Sequence, residues 1–411
     1  MNQAAYDDDA KDFIDDAINA PKIFINASAG RAENSTRGKG VALTKAELVQ
    51  LRLYEIAGLQ LPTDLKGVEN YLNFETYAGP GLLLENFQHT FTIVHNHAKR
   101  WNPICVKIKA VGSELKVFAG HIVLFGKAIA NAIDEIKGNQ RLSDLGIDTV
   151  EDLMRVQAEL GPDFPDIGFD SADKEAANDF GHFVKQMLKK VEQKQKDAQE
   201  INQLLFDFGN DLSLTVRPEI HQRLQAISNT PLTAEIKSLA GVIEQRALDI
   251  DEKTKEYKKA VEDSLKAASS LNVYGLGMAI YIGVEAEKIR TERNRLKALQ
   301  EIDIGTLGIK DRTLYNLNRV KLDMQDLELL VIDADTATKN LITVWNAMSI
   351  YANKSLEEAN EIDDAMKARL FAAHFGFVVE PWVSIGKDAD ALLDVFREAD
   401  DEIKSLGLNN N

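Results

Sequence analysis

The chain has 411 residues and 45.7 kDa, is 45% apolar and 27% charged, and has a mean hydropathy of −0.23. That leaves ample material for a buried core and excludes disorder as the overall state. Its 65 acidic against 48 basic side chains give a formal net charge of −17, which opposes broad contact with phosphate backbones and argues against nucleic acid as a partner. The single cysteine, Cys105, can form no intramolecular disulfide, so the fold does not depend on an oxidising compartment.

The first residues, MNQAAYDDDAKDF, place acids where a secretory leader needs a positive region and then an apolar run, so no cleavable leader is expected. Downstream, apolar residues recur three and four apart with few Gly or Pro between them, which predicts an all-α chain nearly free of strand alternation. The predicted helices lie near 44 to 57, 68 to 100, 103 to 138, 172 to 208, 217 to 228, 232 to 270, 285 to 303, 311 to 353, 355 to 378 and 384 to 405. Four starts have a capping rationale. Thr44 with Glu47 and Ser355 with Glu358 match the reciprocal capping box. Asn102-Pro103 and Thr230-Pro231 match a cap followed by proline at the first helical position. Segments 27 to 43 and 161 to 170 are rich in Gly, Pro and small polar residues and are predicted to be loops.

Several of these helices exceed the length that a small globular core accommodates. In the helix over 172 to 208, Val184, Met187, Val191, Lys194, Ala198, Ile201, Leu205 and Phe208 alternate three and four apart, the seam of a coiled coil with one charged member. A second seam runs through Ile236, Leu239, Ile243, Ile250, Tyr257, Val261 and Leu265. Two such helices could pair as a rod, and residues 232 to 270 alone would span on the order of 60 Å, so an elongated molecule is expected. The stretch 209 to 231, between the seams, is predicted to turn, as a plain connector or as a second candidate apex.

One segment departs from this charge-rich pattern. Residues 267 to 284, AASSLNVYGLGMAIYIGV, carry no charge, although Lys266 and Glu285 close them directly. Eighteen residues reach the lower limit for a membrane-spanning helix, and Gly275, Gly277 and Gly283 weaken a helix in water while permitting close contact in lipid. The flank EAEKIRTERNRLK has five basic residues against three acidic ones, a local excess that favours anionic head groups. Two readings stand at this point: a helix buried on all sides, or a masked apex that contacts a membrane.

Sites for chemistry are sparse. His95 and His97, two apart, point to different faces of a helix and do not form a metal pair; no HExxH or Glu-x-x-His occurs. Gly38-Lys39-Gly40 lacks the spacing and hydroxyl of a phosphate loop, and Gly275-Leu276-Gly277 lacks the third glycine of a dinucleotide site. Cys105 has no adjacent histidine and reads as a small buried residue. No catalytic constellation, metal site or cofactor site is expected, and the chain is read as a non-enzyme.

With long helices, no disulfide, and the uncharged stretch LNVYGLGMAIYIGVEAEKI between charged helices, the chain resembles the A component of the alpha-xenorhabdolysin family. These are bipartite α-helical pore-forming toxins related in fold to cytolysin A, and the resemblance covers nearly the whole chain. It implies a soluble monomer with a five-helix tail bundle and a long coiled-coil neck and head with an apolar tip. Carried onto this sequence, 1 to 171 begin the tail bundle, 172 to 305 form the neck and head, and 306 to 411 complete the bundle. Leu271, Val273, Tyr274, Leu276, Met278, Ile280, Tyr281, Ile282 and Val284 become the membrane-contacting tip. Lys288, Arg290 and Arg293 become its candidates for lipid head groups. The implied partners are a B-type toxin subunit and a target-cell membrane, with a hetero-oligomeric ring as the assembled state. The implied location is a bacterial cytoplasm at synthesis and a host membrane after release.

Overall fold

The computed structural model describes residues 3–31, 39–40, 43–72, 80–271, 284–308 and 310–406. Thirteen α-helices follow one another among them: α1 Gln3–Ser28, α2 Lys45–Leu59, α3 Leu65–Leu72, α4 Leu84–Lys99, α5 Trp101–Asp134, α6 Lys137–Asp144, α7 Val150–Leu160, α8 Ser171–Asp211, α9 Arg217–Ser228, α10 Ala234–Leu271, α11 Val284–Gly308, α12 Arg312–Asn360 and α13 Ala365–Ser405. No β-strand occurs among the described residues. The only extended pairing there is an isolated antiparallel bridge between Gly168 and Asp364.

Local chemistry sets many of the starts. The box at α2 is present in full: Glu47 N donates to Thr44 Oγ1 at 3.3 Å and Thr44 N donates to Glu47 Oε2 at 2.7 Å, satisfying two amides that the helix itself cannot. Asp170 caps α8 through a second such box with Asp173, and Asp311 and Asp364 cap α12 and α13 through side-chain oxygens alone. The other three predicted starts move. Ser355 lies inside α12 and is buried; the chain breaks six residues beyond it, and Asp364 caps the restart. Thr230 and Pro231 sit in a turn, and Thr233 supplies the oxygen that accepts from Ile236 N at 3.3 Å. Asn102 and Pro103 lie in the first turn of α5, which follows α4 after the single residue Arg100.

Helix boundaries differ from the sequence pattern where burial overrides local signals. The expected pair 355 to 378 and 384 to 405 is one helix, α13, with Pro381 inside it. Trp382 beside it is fully buried in the core, and that packing offsets the hydrogen bond the proline cannot make. The expected helix 68 to 100 is divided into α3 and α4. Helices α1, α6 and α7 were not expected. The reversal expected within 209 to 231 falls at the end of that stretch, after Ser228, because a π-helical turn, Leu212–Val216, first carries α8 on into α9. Leu212, Val216, Ile220, Leu224 and Ile227 are all buried there, so the apolar side of the run continues, and the π turn absorbs the mismatch in period.

The centre of the bundle is formed by α5, α8, α12 and α13. The seam of α8 is buried as predicted, from Val184 to Phe208, but it faces α12 and α5 rather than α10. Its one charged member, Lys194, reaches Glu114 of α5 at 2.9 Å and Asp197 at 3.1 Å. Phe118 of α5, Trp345 of α12 and Trp382 of α13 form a buried aromatic trio with centroids 4.7 to 5.8 Å apart, an arrangement that adds edge-to-face attraction to the area buried.

His97, one of the two histidines weighed as a metal ligand, is a core residue. Its Nδ1 lies 2.7 Å from the Tyr54 hydroxyl and its Nε2 lies 3.0 Å from the Phe208 carbonyl, while its ring stacks on Phe208 at 4.1 Å. A carbonyl can only accept, so Nε2 carries the proton and Nδ1 accepts from Tyr54. Burial holds the imidazole down to about 4, neutral at physiological pH. Cys105 is half-buried, and burial pushes its thiol up to about 11, the opposite of an activated nucleophile.

Candidate functional site

Helices α10 and α11 form an antiparallel hairpin laid along the N-terminal half of α12. The register follows from the pairs it makes. Lys321 meets Glu244 at 2.7 Å, Gln325 meets Asp251 at 2.7 Å and Tyr257 meets Asp333 at 2.7 Å, so α10 runs parallel to α12. Arg290 meets Asp333 and Arg293 meets Asp326, so α11 runs antiparallel to both. In the sequence the uncharged segment lies between these two helices. Leu271 closes α10 and Val284 opens α11; Val273, Tyr274, Leu276, Met278, Ile280, Tyr281 and Ile282 lie outside the described residues.

Apolar packing holds this hairpin at its two ends. Near its base, Ile243, Ile250, Ile304 and Leu307 join the main core. Higher up, Tyr257, Val261, Ala286 and Leu329 form a small cluster of their own. Between them the contact with α12 is polar. Arg293, 1% exposed, donates through Nε to Thr254 Oγ1 at 3.0 Å, through Nη1 and Nη2 to Asp326 Oδ1 at 3.1 Å each, and through Nη2 to the Gln325 carbonyl at 2.7 Å. Lys297 reaches the other oxygen of Asp326 at 2.6 Å. One turn toward the tip, Arg290 bridges Asp333 at 2.9 Å and Glu47 of α2 at 3.1 Å, with Tyr257 donating to Asp333 beneath it. Arg217 of α9 adds Asp251 at 2.5 Å and also pairs with Glu328.

The electrostatic consequence is specific. The guanidinium of Arg293 and the carboxylates of Glu47, Asp326 and Asp333 are buried, with Arg290 half-buried among them, so each depends on its partner for solvation. Beside them, in the cavity lined by Lys297, Glu301, Arg319 and Asp326, burial pushes the Asp323 carboxyl up to about 6. Among the described residues no group of three or more His, Cys, Asp or Glu side chains could hold a metal ion.

This geometry changes the reading of the basic flank. Lys288 is exposed, as a head-group contact requires. Arg293 is enclosed by α10 and α12, and Arg290 is 17% exposed at its side chain and tied to two carboxylates. In this conformation Arg293 is closed to a lipid head group, because local charge excess in the sequence is spent on internal ion pairs. The acidic partners, Asp326 and Asp333, were not singled out from sequence. The available signal was spacing: Arg290, Arg293 and Lys297 form one helical stripe, and two acids seven apart on α12 form its complement.

No protein-family model matches this chain, and no curated protein matches it. Solved structures do. XaxA from Xenorhabdus nematophila is 23% identical, over 89% of this chain and 99% of its own, at a TM-score of 0.45. YaxA from Yersinia enterocolitica is 24% identical, over 88% and 99%, at 0.47. Soluble SmhA of the tripartite alpha-pore forming toxin Smh from Serratia marcescens is 12% identical, over 90% and 97%, at 0.50. The likeness to SmhA is one of fold: this chain has the all-α, long-helix architecture that its sequence pattern predicts.

Proposed function

We propose that this chain is a non-enzymatic component of a multi-part α-pore-forming toxin. On this reading it is a soluble monomer, released from the bacterium that makes it, that contacts a target-cell membrane through the tip between α10 and α11. There it assembles with a B-type subunit into a lytic hetero-oligomer. The observation that carries this reading is a long helical hairpin that leads to an uncharged 18-residue segment and rests on the bundle through a belt of buried ion pairs. The fold shared with SmhA, a component of a tripartite toxin, supports it.

The mechanism is an equilibrium between two states. In water the belt keeps the hairpin on α12. At a membrane, burial of the tip in lipid and contact with the partner favour an undocked hairpin, and the population shifts by the difference in affinity. Undocking returns the charges of the belt to water, which solvates them well, and it also exposes the apolar cluster of Tyr257, Val261, Ala286 and Leu329, a cost that lipid and partner contacts offset.

The test is flotation and dye release with liposomes, using the chain alone and then with a B-type subunit. Binding by the chain alone followed by leakage with the partner supports the proposal. Absence of both under either condition rejects it in favour of a soluble helical scaffold. Met278→Asp or Ile280→Asp is predicted to leave the fold intact and reduce leakage roughly tenfold or more, given the cost of a carboxylate in hydrocarbon. Full leakage by such a folded variant removes the segment from the mechanism.

A further inference from the structure

The exposed face of α5 carries a seam that no helix among the described residues occupies. Val106, Ala110, Ser113, Val117, Gly120 and Leu124 follow one another four and three apart, the spacing of a coiled-coil interface, and none is charged. All six are exposed: Val106, Val117 and Leu124 are 61%, 57% and 60% accessible, and a Cβ added at Gly120 would meet nothing within 4 Å. The most apolar 18-residue window among the described helices lies within Leu84–Asp134, and only 28% of it is buried. Soluble proteins seldom expose such a stripe unless a partner covers it.

Charge specifies what kind of partner. Along one side of the seam runs an open groove of 690 Å³ between α5 and α8, lined by Val117, Phe118, His121, Lys189, Lys190 and Lys194 among others. From residue 185 to 196, α8 carries five lysines and one carboxylate, Glu192. Lys194 is tied to Glu114 and Asp197, but Lys185, Lys189, Lys190 and Lys196 form no ion pair among the described residues. Burial and the charge of Lys190 together hold His121 below its usual range. In a chain of −17 this is a local reversal of sign beside an apolar seam.

We propose that the α5 seam and the lysine row of α8 are the docking surface for an amphipathic helix of the partner subunit, apolar along its inner edge and acidic along the flank that meets α8. Coiled-coil spacing selects a helix as the occupant, Gly120 and Ala110 admit close approach, and the lysines fix its direction and its charge. The proposal rests on the toxin-component reading above and adds where the partner binds.

The experiment uses the full-length chain, a purified B-type subunit and phosphatidylcholine–phosphatidylserine vesicles, comparing wild type with Val117→Glu/Leu124→Glu and with Lys189→Glu/Lys190→Glu. All four positions lie on the outer surface, and circular dichroism checks that the variants fold. Both variants are expected to bind vesicles as wild type does, to lose partner association in sedimentation roughly tenfold or more, and to lose leakage in parallel. Association of the lysine variant should also lose its dependence on salt. Wild-type leakage that both variants retain overturns the docking surface and leaves the toxin reading intact. Loss of vesicle binding together with leakage reassigns the surface to lipid and overturns the proposal. A dimer of the chain alone that the variants dissociate reassigns it to a second copy, with the same result. No leakage by wild type with the partner overturns the toxin reading and this proposal with it.

Discussion

The α5–α8–α12–α13 bundle and the α10–α11 hairpin are both long helices packed side by side, yet they are held by different forces. The bundle interface is apolar over many turns, with the α8 seam buried from Val184 to Phe208 and a Phe–Trp–Trp trio between α5, α12 and α13. Between its two apolar ends, the hairpin meets α12 through Arg290, Arg293, Lys297, Asp326 and Asp333. Apolar burial is favourable in proportion to area and insensitive to small shifts in register. Buried ion pairs contribute little net stability over an apolar replacement but demand one geometry. The bundle is therefore built to persist, and the middle of the hairpin is built to dock in one register.

The largest expected effect that separates the two regions is on the bundle. Trp382→Ala removes a fully buried indole and is predicted to lower global stability by ~3 to 5 kcal/mol in urea unfolding, with hydrogen exchange across every helix rising together. Arg293→Met is predicted to act on the hairpin alone. It leaves Asp326 with Lys297 as its remaining cation, and exchange in α10 and α11 should rise by an amount equivalent to up to ~3 kcal/mol while the global transition moves little. Adding Asp326→Leu to Arg293→Met should restore protection, since an apolar pair replaces a charge pair at small net cost. A double variant as loose as the single one would mean that geometry other than this charge pair docks the hairpin.

A smaller effect belongs to the bundle and is set by pH. His97 titrates near its ordinary 6.5 when unfolded and near 4 when folded. The unfolded chain therefore takes up the proton first, and stability is lost as pH falls from about 6.5 towards 4, by ~2 to 3 kcal/mol at the lower end. His97→Gln keeps a hydrogen-bonding side chain without that titration and should flatten the slope in thermal melts over this range. A slope unchanged by the substitution would assign the pH dependence to other groups.

Much of the architecture was legible in the residues. Helical periodicity, the Thr44–Glu47 cap and the α8 seam each depend on positions within a few turns of one another, and local sterics and hydrogen bonding settle such features. The uncharged segment was equally plain. What was misread lay where a local signal met a tertiary constraint. The gap between 378 and 384 and the Ser355–Glu358 pair looked like boundaries, yet continuous burial of α12 and α13 overrides them. The reversal within 209 to 231 was legible but its place was not: Leu212, Val216 and Ile220 keep one buried side through a π turn, so the chain turns only after Ser228.

The sequence by itself determined that this is an all-α protein of long amphipathic helices with one uncharged segment, because periodicity and charge are properties of a single chain segment. Only the tertiary structure decided which helices pair and which charges they enclose. The α8 seam could have met α10 but meets α5 and α12. Arg290 and Arg293 could have faced lipid but face Asp326, Asp333 and Glu47. The physical reason is the same in both cases: a stripe on one helix states what kind of surface it needs, and several stripes elsewhere in the chain satisfy that need equally well until all of them are packed at once.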